Sequence, residues 1–348
     1  MSDNLRDVSV EQYYNLLKTV NNPLVIMGTP GLCKTSLPAQ VAADVGGTSH
    51  VIPVAQFSEP GDMLGCPFDI EVETDDGLKR KTAYATPDYF PTKGKGFIVI
   101  DDFNRANSLI IQSLLHLAQY REFGSYKVPE LEFDNKGNWV SGFKLVFTGN
   151  LSDEENDYIV NEVDNAFYSR VICFKLKFDK IMWGRWARKA GINEKFISFM
   201  LKNSSEYVTA NDNPRAWSNG FIELGDTEDL DLIDLIMSGC VSAHFNLKTW
   251  LEKEWTTLNF DSADVFDTKK HEGLMKIFDE TGNDGKTLFA ERIATLNVTD
   301  LSKTHQTALK KFFHLLLEAD QERMMMAFIP LNKECPTFHD DKLFSTLV

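Results

Sequence analysis

Gly28, Thr29, Pro30, Gly31, Leu32, Cys33, Lys34 and Thr35 run consecutively, placing two glycines ahead of a lysine and a hydroxyl. That order suits a loop that wraps a phosphate. Glycines let backbone N–H groups turn inward around an anion, and a helix starting behind the loop adds partial positive charge. Lys34 would then reach the β- and γ-phosphates of a nucleoside triphosphate, the Thr35 hydroxyl would ligate Mg2+, and the nucleotide-binding segment would run from Gly28 to Ser36. One position departs from the usual pattern, because Cys33 stands where a glycine normally precedes the lysine. A thiol at a helix N-terminus beside Lys34 could gain thiolate character, although a small filler is the plainer reading. An ordinary Gly-rich turn before a helix has the same composition, so the neighbouring sequence must decide.

A second group of residues supports the phosphate reading. Phe97-Ile98-Val99-Ile100 is an unbroken apolar run ending in Asp101-Asp102. A carboxylate at the tip of a buried strand can hold Mg2+, and its neighbour can orient an attacking water. Asp101 is therefore assigned to the metal and Asp102 to the water. Paired aspartates that merely open a turn are the alternative.

These groups need elements that bring them together. Leu24 to Met27, His50 to Phe57, Phe97 to Ile100, Lys144 to Thr148 and Val171 to Leu176 read as strands. Between them, Val10 to Val20, Thr35 to Val45, and Leu109 to Tyr120 capped by Ser108 read as helices. Buried strands alternating with helices predict an α/β fold with a mostly parallel, doubly wound sheet whose ligand lies at the strands' C-terminal ends. Two insertions interrupt the alternation. Residues 58–92 are polar and punctuated by Gly and Pro, while 122–142 suggest a hairpin of Lys127 to Phe133 and Trp139 to Phe143 around a turn at Asp134 to Asn138. Decorative surface loops are the plain alternative for both.

Beyond Phe178 the patterns are helical: Ile181 to Ala190, Asn193 to Lys202, Pro214 to Leu224, Asp229 to Leu251 and Lys303 to Ala319. Asn259 to Asp267 and Glu280 to Gly285 read as linkers. Met324-Met325-Met326 suits core or intersubunit packing better than an adaptable binding surface.

Composition narrows the function classes. Of 348 residues, 43% are hydrophobic and 25% charged, which argues for folded domains. A net charge of −15 disfavours non-specific binding to nucleic acid or to anionic membranes. Cys33, Cys66, Cys173, Cys240 and Cys335 include no C-x-x-C pair, so neither a disulfide framework nor a zinc cluster follows. Met1 to Val10 lacks the apolar core of a signal peptide, and no apolar run is long enough for a membrane span. The expectation is a cytoplasmic protein.

The loop and the aspartate pair, followed by Phe103-Asn104-Arg105-Ala106-Asn107, resemble AAA+ ATPases of the MoxR type. That family usually has Glu where this chain has Asp102. The resemblance continues in order. Asp62-Met63-Leu64-Gly65 looks like a segment of the helix-2 insertion, residues 122–142 lie where the family has its pre-sensor-1 hairpin, and Phe147-Thr148-Gly149-Asn150 looks like the sensor-1 strand tip. Asn165-Ala166-Phe167-Tyr168-Ser169-Arg170 resembles the arginine-finger segment, and Asn213-Pro214-Arg215-Ala216-Trp217 the start of the lid helix.

The resemblance implies a P-loop αβα domain over 1–178, a helical lid over 179–250 and a further helical region over 251–348. It implies ATP and Mg2+ as cofactors, with Asn150 as sensor 1, Arg170 as a finger supplied to a neighbouring copy, and Arg215 as sensor 2 contacting nucleotide. An ordinary surface cation is the alternative for Arg170. For Arg215 it is a helix start at odds with the dipole's preference for acids. Arg105 suits an ion pair better than a catalytic contact. The implied assembly is a homo-oligomeric ring, a hexamer in relatives, that remodels a protein client or works with a von Willebrand A-domain partner. Two other functions stay open: an ATP-binding scaffold that barely hydrolyses, favoured by Cys33 and Asp102, and a nucleic-acid or GTP-using motor, disfavoured by the charge.

Overall fold

The computed structural model describes residues 5–74, 77–151, 160–161, 163–253, 260–299 and 301–332. Asn259, Cys335 and the end of the 251–348 region lie outside the described residues. The chain divides into two compact units that meet between Lys177 and Phe178.

In the first unit the elements run β1 (Asp7–Val8), α1 (Val10–Thr19), β2 (Leu24–Met27), α2 (Ser36–Asp44), β3 (Thr48–Pro53), α3 (Gly61–Leu64), β4 (Pro67–Thr74), β5 (Gly77–Tyr84), β6 (Lys95–Asp101) and α4 (Ser108–Tyr120). Then follow β7 (Glu122–Phe123), β8 (Tyr126–Lys127), β9 (Glu132–Phe133), β10 (Trp139–Gly149), α5 (Asn165–Tyr168) and β11 (Ile172–Leu176). The main sheet has the order β1-β11-β2-β10-β6-β3, with every neighbouring pair parallel. A parallel sheet is covered on both faces, so its strands read as unbroken apolar runs. Val25, Ile26, Phe97, Ile98, Val99, Ile100, Leu145 and Phe147 accordingly have no exposed surface. Each buried side chain of this size contributes about 1.5–3 kcal/mol.

Several boundaries differ from the sequence reading for local reasons. β3 stops at Pro53, and Val54–Gln56 form a 3-10 turn in place of more strand. Asn107, rather than Ser108, caps α4, with its Oδ1 accepting from the Ile110 N–H at 3.0 Å. The hairpin expected from Lys127 is two smaller ribbons, because Pro129 interrupts the run and leaves β8 paired back onto β7 and only β9 paired to β10. The turn at Asp134 to Asn138 forms, with Asp134 Oδ1 accepting from the N–H groups of Lys136 and Asn138 at 2.8 Å each. Within 58–92, β4 and β5 make a regular antiparallel hairpin whose two strands are largely exposed.

β10 begins at Trp139 and carries one charged residue into the core. Lys144 is buried, and its Nζ donates to the carbonyls of Leu17 (3.2 Å) and Lys18 (2.7 Å) at the end of α1. The Trp139 ring lies 4.8 Å from the same ammonium. Burial, with Lys95 adding, lowers the Lys144 ammonium to about 8.

The second unit is helical: α6 (Lys180–Lys189), α7 (Glu194–Tyr207), α8 (Pro214–Leu224), α9 (Leu230–Ser238), α10 (His244–Lys253), α11 (His271–Glu280), α12 (Asn283–Ala294), α13 (Lys303–Ala319) and α14 (Gln321–Asn332). One core draws on residues from Trp183 to Leu331, Met324 among them. The run Asp229 to Leu251 is two helices. Gly239 ends the first, and buried Asp212 accepts from the Ser242 N–H, the Ser242 hydroxyl and the Ala243 N–H at the start of the second. The expected linkers are also ordered. Phe260, Ser262 and Val265 are buried, and Glu280 to Gly285 spans the end of α11 and the start of α12.

A charged cluster ties the ends of this unit together. Glu194 Oε1 accepts from Arg292 Nε at 2.8 Å and from the Ser262 hydroxyl at 3.0 Å, while Glu194 Oε2 meets Arg188 at 2.6 Å. Arg292 is fully buried, stacks on the Phe260 ring at 3.8 Å and donates to the Phe260 carbonyl. Burial pushes the Glu194 carboxyl up, but Arg188 and Arg292 outweigh it and hold the group below its ordinary range. Replacing Arg292 with Met is expected to destabilise this unit by roughly 3–5 kcal/mol in urea unfolding, since Glu194 loses a buried partner. Because the folded-state value of Glu194 is depressed, its contribution is complete above the unfolded value of about 4.3 and is lost as pH falls through the folded value. Glu194→Gln should therefore flatten the stability-versus-pH curve below that point.

Candidate functional site

β2 ends at Met27, and the next eight residues form a loop at the C-terminal edge of the sheet, between the tips of β10 and β11. There is little room at Gly28, because a Cβ would sit 3.0 Å from the Leu176 carbonyl oxygen. Gly31 takes φ +78°, which glycine adopts freely. Cys33 takes φ +54°, the left-handed region that penalises a side chain. Cys33 thus keeps a glycine backbone without being glycine. Helical bonding starts at the same residue, with the Leu37 N–H donating to the Cys33 carbonyl at 3.0 Å, so the preceding N–H groups lie at a helix N-terminus. The thiol is no thiolate: burial raises it to about 11 although Lys34 pulls it down.

Lys34 is almost completely buried. Its Nζ donates to the carbonyls of Gly28 and Thr29 at 2.9 Å each and to Asn150 Oδ1 at 3.0 Å. The other end of the Asn150 amide, Nδ2, donates to Asp102 Oδ1 at 3.0 Å. One amide therefore bridges the lysine and the carboxylate. Asp101 Oδ1 accepts two hydroxyls at 2.5 Å, from Thr35 and from Thr148. Asp102 itself sits in the left-handed region at φ +51°, a conformation that aspartate tolerates better than most residues, with Arg105 3.7 Å from its other oxygen. Arg105 is thus in an ion pair, as its sequence position suggested.

The donor set suits a hard cation. Thr35 Oγ1 and Asp101 Oδ1 are adjacent oxygens, and Mg2+ characteristically takes one or two protein oxygens together with phosphate oxygens and water. Among the described residues no cluster of three or more His, Cys, Asp or Glu forms a fully protein-made metal cage.

Of the residues singled out in the sequence, Gly28 to Ser36, Asp101, Asp102 and Asn150 gather at this edge. Arg170 does not join them. It precedes β11, whose Ile172 is level with Leu24, so roughly 10 Å of strand separates that level from the loop. Arg170 Nε donates to Gln119 Oε1 at 2.5 Å in the last turn of α4, and its Nη1 donates to the Ala166 carbonyl. Arg215 belongs to the second unit and is exposed in the first turn of α8, where the Asn213 side chain caps both Arg215 N–H and Ala216 N–H at 3.1 Å.

Three participants had no role in the sequence reading. Thr148 adds the second hydroxyl on Asp101. Asn104 holds the backbone of Asn150 from both sides, with Nδ2 donating to its carbonyl at 2.6 Å and Oδ1 accepting from its N–H at 3.1 Å. Tyr13 on α1, fully buried, donates its hydroxyl to the Lys34 carbonyl at 2.9 Å. Burial, with Cys33 and Asp101 adding, raises the Tyr13 phenol well above its ordinary value, so it remains a donor. Asn104 stood in a quoted motif, and Thr148 beside the proposed sensor. Tyr13 gave no signal beyond its place on an apolar helical stripe.

Among the described residues no helix is long and apolar enough to cross a membrane. No curated protein matches the chain. Among solved structures, NtrX from Brucella abortus in complex with ADP is 13% identical over 89% of this chain, with a TM-score of 0.40, and the chain spans 66% of its length. The same protein in complex with ATP is 11% identical over 90% of this chain and 66% of its own, also at 0.40. The Holliday junction branch migration motor RuvB from Thermotoga maritima is 13% identical over 86% of this chain and 93% of its own, with a TM-score of 0.34. Likenesses this distant add nothing to the loop geometry described above. A family model does match: residues 23–171, from just before β2 to just before β11, are similar to the AAA domain of the dynein-related subfamily.

Proposed function

We propose that the chain binds and hydrolyses ATP at boundaries between copies in a ring, as MoxR-type AAA+ proteins do, and uses the cycle to remodel a protein client. The observation that carries this reading is the convergence of Lys34, Thr35, Asp101, Asp102 and Asn150 through direct hydrogen bonds at the ends of three adjacent strands.

In this reading the loop N–H groups and Lys34 hold the β- and γ-phosphates. Thr35 and Asp101 would hold Mg2+, which when bound supplies charge neutralisation across those phosphates. Asp102 accepts a proton from the attacking water while Asn150 orients it. Arg170 stands on the edge of the sheet opposite its own loop, so it can stabilise γ-phosphate charge only in another copy's site. Arg215 is assigned to nucleotide contact from the helical unit. The exposed β4–β5 hairpin and the ribbons of 122–142 are the surfaces assigned to the client, with a von Willebrand A-domain protein as a further partner.

Two observations favour a second reading, an ATP-binding scaffold that turns over slowly. Cys33 holds a strained left-handed backbone in the loop, and Asp102 is one methylene shorter than the glutamate usual in the family.

Steady-state phosphate release separates the alternatives. Lys34→Ala, Asp102→Asn and Arg170→Ala should each lower turnover at least 100-fold. Mixing the Asp102→Asn and Arg170→Ala proteins should restore a fraction of it, because mixed rings contain some sites with both groups intact. Turnover indifferent to all three substitutions, or unrestored by mixing, would sink hydrolysis at a shared boundary.

A second outcome tests the strain. Because the left-handed backbone belongs to the folded loop itself, Cys33→Gly should raise stability in urea unfolding by about 1 kcal/mol, in line with a left-handed penalty of about 1–2 kcal/mol per residue partly offset by the greater freedom of glycine in the unfolded chain. It should leave ATP affinity near the wild-type value in a fluorescent-nucleotide titration. Cys33→Ala, which keeps a Cβ, should give no such gain in stability.

A further inference from the structure

Asn150 is the first residue beyond the end of β10, past the last rung of the sheet ladder, where Gly149 pairs with Met27. Its peptide groups need other partners, because buried backbone N–H and C=O groups are almost always paired. Asn104 supplies both, donating from Nδ2 to the Asn150 carbonyl and accepting at Oδ1 from the Asn150 N–H. Both residues are 3% exposed. We propose that Asn104 is a positioning residue for hydrolysis, locking the Asn150 peptide so that its side-chain amide presents oxygen to Lys34 and nitrogen to Asp102. The proposal rests on the ATPase reading above and adds to it a residue that would never touch nucleotide.

The orientation matters because the two ends of an amide are not equivalent. Oxygen must face the ammonium and NH2 the carboxylate, as observed at 3.0 Å on each side. A rotated peptide would misdirect both ends, and misplacement of about 1 Å near the reacting centre can cost on the order of 100-fold in rate. The surroundings are built for this contact. A Cβ at Gly149 would come within 3.0 Å of Asn104 Oδ1, so the glycine makes room for it. Asn104 is also held from its other side. Its carbonyl accepts the Asn161 N–H at 2.7 Å, and Asn161 Nδ2 donates to the Ala106 carbonyl at 2.6 Å. The turn bearing Asp102 and the strand tip bearing Asn150 are therefore tied to each other by side-chain-to-backbone hydrogen bonds. Aspartate could not replace Asn104, since a carboxylate cannot donate to the Asn150 carbonyl.

The test is a double-mutant cycle on the full chain, reading ATP affinity and single-turnover hydrolysis separately. Asn104→Ala should lower the hydrolysis rate 10- to 100-fold while nucleotide affinity changes less than threefold. In an Asn150→Ala background the same substitution should cost almost nothing further, because the group it positions is gone. Should Asn104→Ala fail to fold, Asn104→Ser, which keeps a donor and an acceptor, serves in the same cycle with a smaller loss. Multiplicative losses in the cycle, or an unchanged hydrolysis rate in a wild-type-like fold, would overturn the proposal while leaving the ATPase reading intact. Absence of hydrolysis by the wild-type chain would instead overturn the ATPase reading, and this proposal with it.

Discussion

An ammonium taken out of water costs several kcal/mol unless its protons are accepted, and Lys34 is in that position in the loop between β2 and α2. The two loop carbonyls and the Asn150 oxygen that accept from it reach it only because the chain bends there. That bend dictates the glycine conformations at Gly31 and Cys33 and the close approach of Gly28 to Leu176. The same lysine sets which way the Asn150 amide faces, and so which atom meets Asp102. Tyr13 closes the arrangement from behind by fixing the Lys34 carbonyl. The loop, the strand tips and α1 therefore form one hydrogen-bonded unit rather than separate motifs.

Two non-glycine residues of this unit, Cys33 and Asp102, have left-handed backbones. They are also the two positions where the sequence departs from the pattern it resembles. Strain of this kind persists only where the surroundings over-determine the backbone. The helix of α2 fixes Cys33 from one side, and the hydroxyl of Thr148, accepting from the Asp102 N–H at 3.2 Å, fixes Asp102 from the other. The loop thus has the shape expected of glycine at position 33, at the expense of stability in the loop itself.

Much of the first unit was legible because its strands are buried on both faces. Leu24 to Met27 is an unbroken apolar run in the sequence and fully buried in the structure. Elements whose pattern reflects partners rather than a core were harder to read. In the β4–β5 hairpin, β4 alternates Phe68, Ile70 and Val72 with Asp69, Glu71 and Glu73, which is a strand pattern, but both strands are largely exposed and the polar, Gly/Pro-punctuated flanks made the whole segment read as an insertion. Lys144 inside β10 is intelligible only once Leu17, Lys18 and Trp139 surround it. At the site, the loop lysine and paired aspartates were visible as residue types at fixed spacing. Tyr13 acts through one hydrogen bond and Asn104 through two, all to backbone atoms distant in sequence, which no local pattern encodes.

Arg170 marks where a single chain stops being sufficient. A parallel sheet puts the phosphate loop at one edge and the residues entering β11 at the other, and the register of Ile172 with Leu24 fixes Arg170 on the far side. Its guanidinium is instead held at the end of α4 by Gln119 and the Ala166 carbonyl. Any role in phosphate chemistry must therefore join the far edge of one sheet to the near edge of another. A contact between two different surfaces of identical chains is heterologous, and such contacts close only as rings or run on as filaments. If Arg170 works at a phosphate, the parallel order of five strand pairs already requires an assembly of that kind.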